Sequence, residues 1–378
     1  MTQDEPHHLH SLDIARGIAA LAVVLYHWRH FFVVGLQLRA DFNPALQPGY
    51  ALLRGFYDHG HAAVSLFFSL SGFIFFWLFA SRITAGTLGL REFFVHRVSR
   101  LYPLHLATLL AVAAGQPIYH ALHGAYFTYA WNDQHHFVLN LFLLSSIGRD
   151  TGLSFNGPSW SVSVEMTLYA VFFLYCSLSK PRFVTMAAMA LVGFLVLGRF
   201  RTTLGSSVGS FYLGGCMSSA YGRLTRDPNR ARVSLVATVL VPALWIVAFA
   251  VPWRELGLPD VVSPPGGAPD LLIVVLFPLT ILALTLAEAE SPALFRRLAR
   301  ATRLGPLSYS VYLIHFPLQL LTVLVAARLD VASDWFYSPV SLALFFGLLI
   351  GLGLLSHYRF EMPIQRMMRA TFGRRESR

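Results

Sequence analysis

Long apolar runs recur along this chain with few charges inside them, and that pattern confines it to folds that live in a lipid bilayer. The runs lie at about 12–34, 62–80, 101–119, 137–147, 166–178, 184–197, 208–221, 233–251, 271–286, 307–327 and 337–356. Of the 378 residues, 55% are hydrophobic and 13% are charged. A typical soluble domain carries about 25% charged residues. The expected class is therefore an all-α integral membrane protein.

Charge placement then constrains the topology. The formal charge of +10 does not signal nucleic acid, because Lys180 is the only lysine and the arginines gather in short clusters between apolar runs. Clusters at 82–100, 223–232, 296–303 and 359–375 belong on the cytoplasmic side. Runs 12–34 and 62–80 leave and return, so an even number must cross between Arg100 and Arg223, where five runs lie. Run 137–147 offers roughly half of the about 20 apolar residues a span needs, and is expected to be re-entrant or interfacial. The expectation is about ten spans around a polar cavity, with both termini cytoplasmic. Lys180 and Arg182 then also face inward, whereas Arg199 and Arg201 face outward against the rule.

Residues 1–378 read as one transmembrane domain with a core at about 9–363, since no loop is long enough for a soluble domain. No internal repeat points to the repeat-built transporter folds. Cys176 and Cys216 offer neither a disulfide framework nor metal-ligand spacing, so no metal is expected. The polar start, with Asp4 and Glu5, lacks a cationic region and a cleavage site, so the first span is expected to be retained.

Five short elements carry chemistry. The first span opens Leu12-Asp13-Ile14-Ala15-Arg16-Gly17 and closes Tyr26-His27-Trp28. Asp13 and Arg16 can pair at i,i+3, while Arg16 and His27 share nearly one helix face roughly 16 Å apart along the axis. Ionisable residues in a span usually face the bundle interior, although both could instead be interfacial residues at the two span ends. In Phe67-Phe68-Ser69-Leu70-Ser71-Gly72-Phe73, small residues permit close approach of a second helix or of a ligand, and helix packing is the plainer explanation. Arg97 and Arg100 suit a phosphate-rich ligand as well as the positive-inside rule. Gly157-Pro158-Ser159-Trp160-Ser161-Val162-Ser163-Val164-Glu165 is a turn running into a Ser-rich helix start, read either as a cap with an aromatic anchor or as a site. Ser308-Tyr309-Ser310-Val311-Tyr312-Leu313-Ile314-His315 puts a second histidine in a span, where a satisfied core histidine is the alternative.

In this order, the elements resemble the bacterial membrane acyltransferase family 3, over about residues 9–363. The family acylates O-antigen, peptidoglycan, Nod factors, exopolysaccharides and some macrolides. Its Leu-Asp-x-x-Arg-Gly opening is matched at 12–17, and its spaced Arg and His at Arg16 and His27. Its Phe-Phe-x-Leu-Ser-Gly-Phe, Arg-x-x-Arg, Trp-Ser-x-Ser-x-Glu and Ser-Tyr-x-x-Tyr-Leu-x-His elements are matched at 67–73, 97–100, 160–165 and 308–315. Met166 stands where a second acid often follows the glutamate, and Glu361-Met362-Pro363 replaces Glu-Lys-Pro. The family's optional C-terminal esterase-like domain is not expected here.

The resemblance implies a bacterial inner-membrane O-acyltransferase that moves an acyl group, expected to be acetyl, from acyl-CoA to a hydroxyl of a carbohydrate-type acceptor. His27 is the expected general base or transient acyl carrier, with Asp13, Arg16 and Glu165 in support. Arg97 and Arg100 are expected to bind the donor, and Ser71, Trp160, Ser161, Ser163, Tyr309 and His315 to line the cavity. Acetyl-CoA is a co-substrate rather than a bound cofactor, the bilayer is a partner, nucleic acid is not, and a homodimer is compatible with the reading. Two other readings stand beside it. One is a membrane-bound O-acyltransferase acting on lipid or protein. The other is a transporter or flippase using Asp13, Arg16, His27 and Glu165 as a substrate or proton path.

Overall fold

The computed structural model describes residues 8–146, 152–197, 202–251, 272–302 and 304–373. Asp4, Glu5, Arg199, Arg201, Arg303, Arg374 and Arg375 lie outside the described residues. In chain order the helices are α1 (His10–Tyr26), α2 (Tyr50–His59), α3 (Ala63–Leu78), α4 (Ala80–Thr84), α5 (Leu90–His123), α6 (Gln134–Leu141), α7 (Trp160–Leu178) and α8 (Phe183–Val192). They continue as α9 (Thr202–Leu224), α10 (Arg230–Ala250), α11 (Phe277–Glu290), α12 (Pro292–Thr302), α13 (Leu304–Arg328), α14 (Pro339–Ser356) and α15 (Met362–Phe372). A two-residue hairpin, Val33–Val34 against Gln37–Leu38, is the sheet structure among the described residues.

Seven helical segments are long and apolar enough to cross a bilayer: Tyr50–Leu78, Leu90–His123, Gly157–Leu178, Arg230–Ala250, Leu272–Glu290, Pro292–Arg328 and Pro339–Phe372. The chain is therefore a multi-pass helical membrane protein. The expected count of about ten is not reached by length and composition among the described residues. Run 12–34 stops being α-helical at Tyr26, which leaves a 17-residue helix. Run 184–197 forms a short helical segment, Phe183–Leu197. Run 208–221 sits in a 23-residue helix diluted by Gly and Ser. Run 137–147 holds the eight-residue α6, too short to cross.

The chain divides into two compact units. The first comprises Met1–Ala19, Ala62–Gly89 and Leu168–Gly305. Its center is α9 packed along α3. The packing is intimate: a Cβ on Gly72 would lie 1.8 Å from the Phe211 carbonyl oxygen, and one on Gly214 would lie 1.9 Å from that of Ser69. In lipid, helices associate through close van der Waals contact of small residues, and this seam is built that way. Ser69 and Gly72 lie on this seam, and Ser69 is fully buried. The start of α1 belongs to this unit, with Leu12 and Ala15 in a core with Leu70, Phe73, Tyr221, Ile281 and Leu286.

The second unit comprises Ala20–His61, Leu90–Thr167 and Pro306–Arg378. Its core gathers Leu109, Val112, Tyr119, Phe127, Phe155, Phe316 and Leu320. Pro317 inside α13 has no N–H to give the Leu313 carbonyl one turn back. The buried Asn156 side chain donates to that carbonyl at 3.1 Å, so the freed acceptor is satisfied where water is scarce. Leu110, Ile118, Leu122, Leu321, Val325, Leu344 and Leu348 are exposed on α5, α13 and α14. Outward-facing leucines of this kind suit a surface solvated by acyl chains.

Candidate active site

The site begins where α1 ends. Tyr26-His27-Trp28-Arg29-His30-Phe31-Phe32 is rich in aromatic and imidazole side chains of modest helix propensity, and residues His27–Phe32 tighten into a 3-10 turn. Trp28, fully buried, donates its Nε1–H to the Phe336 carbonyl at 3.0 Å, and Phe31 stacks on Phe336 at 4.1 Å. These anchors fix the turn. Three residues per turn eclipse positions i and i+3. His30 accordingly stacks on His27 with ring centroids 4.7 Å apart, and the Arg29 guanidinium sits 4.2 Å over the Tyr26 ring.

His27 then meets α13. Its Nδ1 lies 2.8 Å from Nε2 of His315, with the two ring planes only 10° apart, which is an in-plane hydrogen bond. His315 is fully buried, and its Nδ1 lies 2.5 Å from the Tyr312 carbonyl oxygen. The carbonyl can only accept, so His315 Nδ1 carries the proton. In the neutral ring His315 Nε2 is then an acceptor, and the bond to it needs the proton on His27 Nδ1. Neutral His27 is left with its lone pair on Nε2. A chain of two imidazoles ending on a backbone carbonyl thus selects one tautomer of His27, the one whose outer nitrogen is a base.

Gln319, one turn beyond His315, holds the same turn from the side. Its amide nitrogen donates to the His27 carbonyl at 2.8 Å, and its oxygen lies 3.2 Å from His30 Nδ1, which donates to it. Arg29 donates to the Tyr57 carbonyl at 3.2 Å and is near enough for its charge to reach His27.

The 157–165 element connects to the pair through Tyr312. The Tyr312 hydroxyl donates to the Pro158 carbonyl at 2.7 Å and lies 2.9 Å from Ser161 Oγ. The Glu165 carboxylate, half-buried in the first turns of α7, is near enough to act on Tyr312 electrostatically. Tyr312 touches both groups, Ser161 through its hydroxyl and His315 through its backbone carbonyl, so the Ser161 network and the His27–His315 chain meet at this residue without one continuous hydrogen-bond path. Three other expected cavity residues hydrogen-bond to neighbouring segments. Ser163 Oγ donates to the Leu143 carbonyl at 2.5 Å, and the half-buried Trp160 offers its carbonyl to Ser146 at 3.2 Å, so both latch the loop after α6. Tyr309 donates to the Leu101 carbonyl at 2.5 Å and ties α13 to α5. Arg97 and Arg100 lie half-buried on the first turns of α5, one helical turn apart.

Asp13, Arg16 and Ser71 belong to the first unit. The Asp13 carboxylate accepts from His8 Nε2 at 2.6 Å, and this bond raises the His8 pKa above its ordinary value. His8, His10 and Asp13 place three donor atoms within 4.8 Å of one another. The charges of Glu288 and Arg16 both reach His8, with opposite effect.

Sequence reasoning missed His30, Arg29, Gln319 and Glu288. The i,i+3 spacing of His30 and the i,i+4 spacing of Gln319 from recognised histidines were the available signals. Glu288 had none. Its carboxylate, 4% exposed, takes the backbone N–H groups of His10 at 2.9 Å and Ser11 at 2.8 Å, and so caps α1 from α11.

Comparison with known proteins agrees with this architecture. The acyltransferase family 3 profile, described as an acyltransferase domain, matches residues 9–358. Acyltransferase MdmB of Streptomyces mycarofaciens is 28% identical over 381 aligned residues, covering 95% of this chain and 92% of that protein. Protein 2 in the picA locus of Rhizobium radiobacter is 32% identical over 114 residues, covering 30% of this chain and 49% of that protein. No solved structure matches. With a family match running almost end to end over a multi-pass helical chain, this protein belongs to the acyltransferase family 3 membrane acyltransferases.

Proposed function

We propose that the chain is a bacterial inner-membrane O-acyltransferase, with both termini cytoplasmic, that moves an acetyl group from acetyl-CoA to a hydroxyl of a carbohydrate-type acceptor. The observation that carries the reading is the His27–His315–Tyr312 chain, because it leaves His27 Nε2 as a proton acceptor on a rigid turn. In the proposed step His27 Nε2 takes the acceptor hydroxyl proton as the oxygen attacks the thioester carbonyl. The C–O bond forms, the tetrahedral oxyanion collapses, the C–S bond breaks, and the imidazolium returns the proton to the leaving sulfur. Arg29, held beside His27, supplies positive charge for the developing oxyanion. Arg97 and Arg100 take the phosphates of the donor at the cytoplasmic end of α5. Glu165 supports the network through Tyr312.

A histidine held in one tautomer by a second, buried histidine supports group transfer over a transport path. The test is purified protein in nanodiscs with acetyl-CoA, read as CoA release and as acetyl transfer to a soluble glycoside panel. Release that depends on His27 and rises with a hydroxyl acceptor is the expected result. A folded protein that binds acetyl-CoA without ever cleaving its thioester refutes the reading.

A further inference from the structure

A third arginine stands beside the Arg97–Arg100 pair, brought from the other end of the sequence. Helix α15 packs on α5. The packing places Arg369 so that its Nε donates to Ser99 Oγ at 3.2 Å and its Nη2 to Gln365 Oε1 at 3.1 Å. Ser99 is fully buried next to Arg100, and the charge of Arg100 reaches Arg369. Both guanidiniums are half-buried.

What they bond to is the informative point. The partners of Arg369 are a hydroxyl and an amide, both neutral. Arg100 makes no hydrogen bond or ion pair with any described residue. Among the described residues neither has an acidic partner. Two like charges held together on packed helices, part-removed from water and with no counter-charge, repel one another unless an anion is shared between them. Two of the five N–H donors of Arg369 are used to hold the fork, and three remain for a ligand. The anchoring matters, because a long side chain fixed at its Nε presents its outer edge with less entropy to lose. A planar fork fits phosphate oxygens in pairs.

We propose that Arg369, with Arg100, forms a phosphate-binding subsite, so that the C-terminal helix completes the cradle for the phosphates of the acyl-CoA donor. This rests on the donor reading of Arg97 and Arg100 given above. Isothermal titration of the protein in nanodiscs with CoA, and separately with inorganic pyrophosphate, tests it. Arg369→Ala is expected to weaken CoA binding about tenfold or more, the loss of one charge-assisted contact. Its affinity should also fall less steeply with salt than that of wild type. Arg369→Lys, which keeps the charge without the fork, should recover part of the loss, and thermal melting of both variants controls for folding. A helix-docking role alone would leave the salt dependence unchanged. Wild-type CoA affinity and salt slope in a folded Arg369→Ala overturn the subsite. If wild type binds pyrophosphate through Arg369 but does not bind CoA, the donor reading falls while the phosphate subsite stands. If Arg369→Ala instead loses co-purifying anionic phospholipid, read by native mass spectrometry, with CoA affinity intact, the phosphate belongs to lipid and the donor assignment is overturned.

Discussion

Replacing His315 by leucine should disable His27 without touching it. The substitution removes the acceptor 2.8 Å from His27 Nδ1 and puts a hydrocarbon in a fully buried position. Two losses follow. The orienting hydrogen bond is worth about 0.5–1.5 kcal/mol net, which alone is roughly a 2- to 12-fold effect. The preference for the proton on Nδ1 also disappears, so part of the population carries it on Nε2, where the base must be free. Together, removing such an orienting partner is expected to cost about 10- to 100-fold in transfer rate. His27→Gln removes the base itself and should cost about 10²–10⁴-fold. Because His315 acts only through His27, the double variant should be no slower than His27→Gln alone, a coupling of about 1.4–2.7 kcal/mol. His315→Gln, which restores an acceptor oxygen, should be milder than His315→Leu. The assay is acetyl transfer per mole of folded protein, with melting curves for each variant. Full activity in His315→Leu, or the same fold-loss on both backgrounds, refutes the tautomer argument.

Three further outcomes follow from the packing and the charge pattern. Gly72→Val should lower the melting temperature and the yield, because its first side-chain carbon would lie 1.8 Å from the Phe211 carbonyl oxygen; overpacking of this kind costs about 1–3 kcal/mol or more. Glu288→Ala strands two backbone N–H groups at the start of α1, each worth about 1–3 kcal/mol when buried, so melting should fall while Glu288→Gln, which keeps one acceptor oxygen, recovers part. Reporter fusions after Arg226 and at Arg378 should both read as cytoplasmic, and an outward reading at either point would remove the proposed orientation.

The parts of this protein that could be read in its sequence are those written in local spacing. Apolar runs and arginine clusters sufficed for a multi-pass helical chain, and the weak run at 137–147 is the one that yields only the eight-residue α6. The ordered motifs sufficed for the family. The count of about ten spans is not confirmed, and at the first run periodicity cannot show that seven aromatic, imidazole and guanidinium side chains in succession at 26–32 will tighten into a 3-10 turn and end the helix early. What the sequence could not show is pairing across the chain. His27 and His315 are 288 positions apart, and each has an ordinary explanation taken singly. The Tyr312 carbonyl reaches His315 within α13, three residues along, but only packing brings His315 to His27, and only then does a lone pair acquire a direction. The same holds for Glu288, which is an acidic residue at a helix end until α1 is laid beside it. Residue identity states which groups can exchange a proton. The fold decides which nitrogen does, and a motif that preserved both histidines while Tyr312 turned its carbonyl away would spell the same letters without specifying the base.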